Sequence, residues 1–111
     1  MENMEKMTRV VNIKEVGPTG YDEYIGWKGR YKWQGEWQYL KNSVWLNPYN
    51  KAFRNKEITR EESIENYKRY LLEERPDLVA QLPELKGKVV ACWCKPKACH
   101  GDVLAELADA T

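Results

Sequence analysis

The stretch Val89-Val90-Ala91-Cys92-Trp93-Cys94-Lys95-Pro96-Lys97-Ala98-Cys99-His100-Gly101-Asp102-Val103-Leu104 decides the fold. Val89 to Trp93 is a continuous apolar run, the pattern of a strand covered on both faces. The Lys95-Pro96-Lys97-Ala98 segment ends it. From about His100 onward, Val103, Leu104, Leu107 and Ala108 fall on one side of a helix. A doubly covered strand that feeds a helix through a short loop belongs to an α/β domain.

Going back along the chain, Lys86-Gly87-Lys88 is a turn, and Leu78, Val79, Leu82 and Leu85 give a short helix its apolar side, with Pro76 at its start and Pro83 limiting its length. Thr59-Arg60-Glu61-Glu62 is a capping box, and Ile64, Tyr67 and Leu71 then recur at helical spacing to about Glu74. Arg9-Val10-Val11-Asn12-Ile13 has the β-branched content of a strand, and Tyr21 to Trp27 alternates well enough for a second. Lys28 to Phe53 has no clean period; Gln34-Gly35 and Asn47-Pro48 mark turns, so it reads as a loop or as a hairpin plus loop. The expected architecture is one small α/β domain over residues 9–111, after a polar lead at 1–8. Its short, mostly buried sheet is flanked by about three helices, in the order β-β-loop-α-α-β-α.

Bulk properties exclude several classes. At 111 residues, 42% apolar and 32% charged, the chain can bury a core without staples. No run of about 18 apolar residues exists, so no membrane span is expected. The charged start Met1-Glu2-Asn3-Met4-Glu5-Lys6-Met7 is no secretory signal, and a cytoplasmic chain is expected. Three cysteines within the stretch 92–99 do not make an extracellular disulfide framework.

The cysteine-rich stretch admits three chemical readings. As a metal site, Cys92, Cys94, Cys99 and His100 form a ligand set that zinc accepts, although such sites usually draw on two separated ligand pairs. As a catalytic site, Cys94 or Cys99 is the nucleophile, with His100 as base and Asp102 beside it, and the helix start lowers the pKa of Cys99. As packing, the thiols are small buried apolar groups. The first turn of the last helix also offers free backbone N–H groups to an anion, with Lys95 and Lys97 beside it.

A second feature lies in the middle. Seven basic residues (Lys28, Arg30, Lys32, Lys41, Lys51, Arg54, Lys56) face one acid, Glu36, between positions 26 and 56, although the whole chain carries only +1. Ten of the thirteen aromatics lie between Tyr21 and Phe53. Rings interleaved with cations suit a nucleotide base or single-stranded nucleic acid. The competing reading packs Tyr24, Trp27, Trp45 and Tyr49 on the sheet and leaves the lysines solvated. Asn47 before Pro48 either aims its amide at a ligand or caps the turn.

At these residues the sequence resembles a small bacterial and phage family, domain of unknown function 4326. The likeness rests on Cys92-Trp93-Cys94-Lys95-Pro96 with Cys99-His100-Gly101-Asp102-Val103-Leu104. It extends to Val10-Val11-Asn12, to Tyr21-Asp22-Glu23-Tyr24-Ile25-Gly26, and to Leu46-Asn47-Pro48-Tyr49 with Arg54. Leu46 stands where the family has a small residue and Tyr49 where it has Phe, and Gly29 to Lys41 is longer and richer in Trp. The ending is also similar to that of a second α/β family without the middle cysteine, which weakens a four-ligand zinc site as the shared feature. The resemblance implies the fold and brings no established activity.

The leading expectation is a pocket between the Cys94–Asp102 loop and the Tyr24–Arg54 segment that takes a nucleotide, a nucleoside derivative or single-stranded nucleic acid. Lys95, Lys97, Arg54 and the helix start would meet phosphate, and Trp45 or Tyr49 a base. Asn12, Tyr24, Gly26, Asn47 and Gly101 complete the candidate contacts. The alternatives are a thiol-dependent enzyme on a nucleotide-like substrate and a phage-type protein-interaction module scaffolded by zinc or packed thiols.

Overall fold

A computed structural model describes residues 7–111, so most of the polar lead expected at 1–8 lies outside the described residues. In chain order the elements are β1 (Arg9–Asn12), α1 (Ile13–Val16), β2 (Glu23–Tyr24), β3 (Gly29–Trp33), β4 (Glu36–Leu40), α2 (Asn50–Arg54), α3 (Arg60–Glu74), α4 (Pro76–Val79), a 3-10 turn (Leu82–Leu85), β5 (Val89–Cys92) and α5 (His100–Asp109). The α/β class holds. Helices are more numerous and shorter than expected, because α1, α2 and α4 are single turns.

β1, β5 and β2 form a parallel sheet in the order β1-β5-β2, with Val10 opposite Val90 and Tyr24 opposite Ala91. The run that read as doubly covered is the central strand, and Val90, Ala91 and Cys92 are buried. Alternation sends neighbouring side chains to opposite faces. Val90 and Cys92 join a core with Tyr67 and Leu71 of α3 and Val103 and Leu104 of α5. Ala91 faces a second core with Ile13 and Tyr31, flanked by Val11, Tyr24, Trp33, Leu40 and Trp93. α3 and α5 therefore cover one face of the sheet, and α1 with the β3–β4 hairpin covers the other.

β2 is shorter than the Tyr21–Trp27 expectation. Backbone bonds to β5 flank it at Asp22 (2.8 Å) and Ile25 (3.0 Å), and the chain then leaves the sheet at Gly26. The hairpin turns at Gln34 and Gly35, whose φ values of 52° and 85° are those of the tight turn that matches strand twist. It sits close on the sheet. A Cβ on Gly17, which already has φ 76°, would lie 2.4 Å from the Trp33 ring.

The capping box at the start of α3 forms as read: Glu62 N–H donates to Thr59 Oγ1 (3.0 Å) and Thr59 N–H to Glu62 Oε1 (2.8 Å). Tyr67 and Leu71 are buried and Ile64 packs against the same core, as expected; Ser63 is buried as well, its Oγ accepting a bond from the Asn47 amide (3.0 Å). Tyr67 is fully buried, and its hydroxyl is satisfied by donating to the Trp45 carbonyl (2.7 Å). Among the described residues no helix is long and apolar enough to cross a membrane.

Candidate functional site

In a parallel sheet all carboxyl ends lie on one edge, so Asn12, the Ile25-Gly26 exit and the Cys92–Cys94 segment come together there. The loop after β5 is anchored at this edge. The Asn12 side chain accepts from Lys14 N–H (2.9 Å) and donates to the carbonyls of Trp93 (3.1 Å) and Lys95 (2.8 Å). Farther along, Lys95 Nζ pairs with Asp102 Oδ1 at 2.6 Å, while Asp102 Oδ2 accepts from Cys99 N–H at 3.1 Å. His100 Nε2 meets the Ile25 carbonyl at 2.7 Å, so Nε2 carries the proton. Burial holds this imidazole below its ordinary pKa and therefore neutral, and its ring packs edge-on to Tyr67.

Beside this edge opens a cleft of about 430 Å³. One wall is the exit of β2 and the start of β3, with Trp27, Lys28 and Arg30. The other is the Asn47–Arg54 segment, with Asn50, Phe53 and Arg54; Cys92, Trp93, Cys94 and His100 also line it. None of its lining residues is acidic. Trp27 is held in the wall by its indole N–H, which donates to the Asn47 carbonyl (3.0 Å). A narrow recess continues from Phe53 and Cys94 to Arg60, Ser63 and Cys99. A second hollow of about 470 Å³ shares Trp27, Lys28, Asn50 and Arg54 and adds Lys51.

The three thiols are close together. Cys92 and Cys99 are buried with their sulfurs 3.1 Å apart, and Cys94 is half-buried. Hydrogen bonds from the Cys92 and Cys99 thiols, and then the Arg60 guanidinium, hold Cys94 well below the ordinary thiol range. The neighbouring sulfurs and burial push Cys99 up instead. The helix start favours a thiolate at Cys99, whereas the neighbouring sulfurs favour one at Cys94. Arg60 is positioned by donating to the Ala98 carbonyl (2.9 Å) and by stacking on Phe53 (4.7 Å).

The expected residues divide into three groups. Gly26, Asn47, Arg54, Cys94 and His100 line the cleft, with Cys92 added. Asn12, Tyr24, Lys95, Asp102 and Gly101 stand behind it as supports. Tyr24 accepts from the Trp93 indole (2.6 Å) and donates to the Trp27 carbonyl. Gly101 lies where α5 meets the sheet, and a Cβ there would be 2.8 Å from both Ile25 and Val10. The third group is elsewhere. Trp45, expected against a base, is 3% exposed in the core, and Tyr49 packs edge-on to Tyr70. Lys97 is exposed and lines neither the cleft nor its recess.

The zinc expectation for Cys92, Cys94, Cys99 and His100 gains no support. Among the described residues no group of three or more His, Cys, Asp or Glu side chains that could hold a metal ion is present. Among the described residues no hydrogen bond joins His100 to a cysteine, its Nε2 being bonded to the Ile25 carbonyl. Asn47 is mainly a turn cap, its Oδ1 accepting from Tyr49 N–H (2.8 Å). Residues the sequence reading did not single out as site residues are Trp27, Lys28, Arg30, Asn50, Phe53, Arg60 and Trp93. The middle ones lay inside the aromatic-basic segment. For Arg60 the only signal was its place in the first turn of a capped helix.

The chain is 36% identical over 95 residues to an uncharacterised protein of Acanthamoeba polyphaga mimivirus, an alignment covering 78% of this chain and 65% of that protein. A shorter match, 50% identical over 28 residues, is to an uncharacterised 12.4 kDa protein of the nrdA-td intergenic region of Enterobacteria phage T4. It covers 25% of this chain and 26% of the phage protein. The chain thus spans a little under two thirds of the mimivirus relative. No solved structure matches it. The family model for a domain of unknown function, DUF4326, matches residues 9–110, which takes in both the cleft walls and the cysteine loop, and the chain belongs to that family.

Proposed function

We propose that the cleft binds a nucleotide or nucleoside phosphate. The observation that carries this reading is the composition of one cavity. The rings of Trp27 and Phe53 share it with the cations Lys28, Arg30 and Arg54, and no carboxylate lines it. A base needs a flat apolar face, and a phosphate needs cations without competing acids. The volume of about 430 Å³ falls in the range of small-ligand sites, about 300–1,000 Å³. Trp27 in the wall makes tryptophan quenching the natural readout. Titration with a panel of purine and pyrimidine nucleoside phosphates is expected to give saturable quenching that weakens as salt is raised. No quenching by any of them, or quenching indifferent to salt, overturns the reading.

Covalent chemistry at Cys94 is a second reading, favoured by its position. Cys94 is half-buried and lines both the cleft and the recess beside Arg60, whereas Cys92 and Cys99 are buried. A thiolate there would attack an electrophilic ligand without help from His100. Limited iodoacetamide treatment followed by peptide mass spectrometry is expected to label Cys94 first. Equal labelling of the three thiols, or none, removes this reading.

A further inference from the structure

We propose that the outer face of the β3–β4 hairpin continues the cleft, so that the ligand is a single-stranded nucleic acid with one nucleotide in the cleft and its neighbours along the hairpin. This rests on the cleft reading above and extends it from a mononucleotide to a strand.

The hairpin has two unlike faces. Its register places Lys32 opposite Trp37 and Arg30 opposite Tyr39, so these four side chains share one face. Tyr31, Trp33 and Leu40 occupy the other and pack on the sheet. Packing therefore accounts for the inner rings. It does not account for Trp37, 46% exposed, or Tyr39, 72% exposed. The one acid of the hairpin, Glu36, pairs with Trp33 on the alternate set of positions, which leaves two cations and two rings together without a carboxylate.

This face is continuous with the cleft through Arg30, whose guanidinium lies over the Trp37 ring (4.5 Å) and which also lines the cleft. Lys32 lies over the same ring at 5.4 Å. Beyond the cleft the second hollow adds Lys51 beside Lys28 and Arg54, so cations run on both sides of the Trp27 wall. A five-residue strand spans about 17 Å, room for about five stacked nucleotides at ~3.4 Å each. Alternating rings and cations match alternating bases and phosphates. A globular protein partner would call for an apolar patch with a polar rim, and Arg30 and Lys32 interrupt any such patch.

The test compares labelled single-stranded DNA and RNA of about eight nucleotides, within the ~4–16 of known single-strand sites, with a mononucleotide and with oligoglutamate. The probes are followed by anisotropy or tryptophan quenching on the full chain. The strand is expected to bind at least tenfold tighter than the mononucleotide. The Lys32→Glu/Tyr39→Ala variant should lose that gain and keep mononucleotide affinity within twofold, with an unchanged far-ultraviolet circular dichroism spectrum. Trp37→Ala, a second variant on the same face, should also weaken the strand more than the mononucleotide. A strand no tighter than the mononucleotide, or equally tight on both variants, overturns the hairpin inference and leaves the cleft reading standing. Preference for oligoglutamate overturns it in favour of an acidic peptide. No binding of either nucleotide probe overturns both. A preference between DNA and RNA, with the hairpin variants still selective, supports the inference and identifies the strand.

Discussion

The supports behind the cleft and its two walls use their polar groups differently. On the cysteine-loop side the conspicuous residues are committed inside the protein. Asn12 holds two loop carbonyls, Lys95 is paired with Asp102, Asp102 also caps Cys99, and His100 is bonded to Ile25. On the two walls, among the described residues, Lys28 and Arg54 have no ion-pair partner, nor has Lys51 in the adjoining hollow, and Arg30 rests on an exposed ring. Residues that look chemical in a motif can be the scaffold. On the proposed reading the ligand meets the two walls rather than these supports.

If that contrast is right, substitutions on the loop side damage the fold first and substitutions on the wall damage binding first. Gly101→Val should have the largest effect, costing about 3 kcal/mol by denaturant unfolding, because its branches enter space already filled by Ile25 and Val10. Asn12→Ala should cost about 2 kcal/mol, since it removes a helix cap and leaves two loop carbonyls short of a donor. Arg54→Glu should change stability by less than about 0.5 kcal/mol while weakening nucleotide binding at least tenfold. The reverse ranking in any of these pairs would break the comparison.

His100 sharpens the contrast through pH. It is the only histidine in the chain, and burial lowers its folded pKa below the unfolded value of about 6.5. The unfolded chain then takes up a proton that the folded chain refuses. The stability tied to neutral His100 is complete above about pH 6.5 and falls as the pH drops from there toward the lowered pKa. Thermal melts from pH 8 to pH 5 should show this fall, and His100→Gln should flatten it. A fall of the same size in the variant would place its cause in other groups. The smallest effect concerns the other core. The Tyr31 hydroxyl is buried with no hydrogen-bond partner among the described residues, so Tyr31→Phe should leave stability unchanged or raise it by about 1 kcal/mol.

Features set by local chemistry were readable in the sequence. The buried run at Val89, the capping box at Thr59, the turn at Gln34-Gly35 and the helix beginning at His100 each follow from side-chain periodicity or backbone preference. Strand ends and loops of an α/β domain gather on one edge, and the cleft lies beside it. The identity of its rings was not readable. Trp27 and Trp45 look alike in sequence, but one leaves the sheet at Gly26 and the other is drawn under Tyr67 by a carbonyl bond. The choice between Cys94 and Cys99 stayed open in the sequence for a related reason. A helix end acts over one turn and is visible in the sequence, whereas the contact of Cys92 with Cys99 and the approach of Arg60 from α3 exist only after folding.

The most direct test is a nucleotide titration followed by tryptophan fluorescence on three proteins in parallel: the parent chain, Arg54→Glu and Asn12→Ala. Each is first checked to be folded at the temperature used. The account predicts saturable quenching in the parent, its loss in Arg54→Glu, and near-parental affinity in Asn12→Ala wherever that variant is folded. Parental affinity in Arg54→Glu together with lost affinity in a folded Asn12→Ala would place the ligand on the cysteine loop and contradict it.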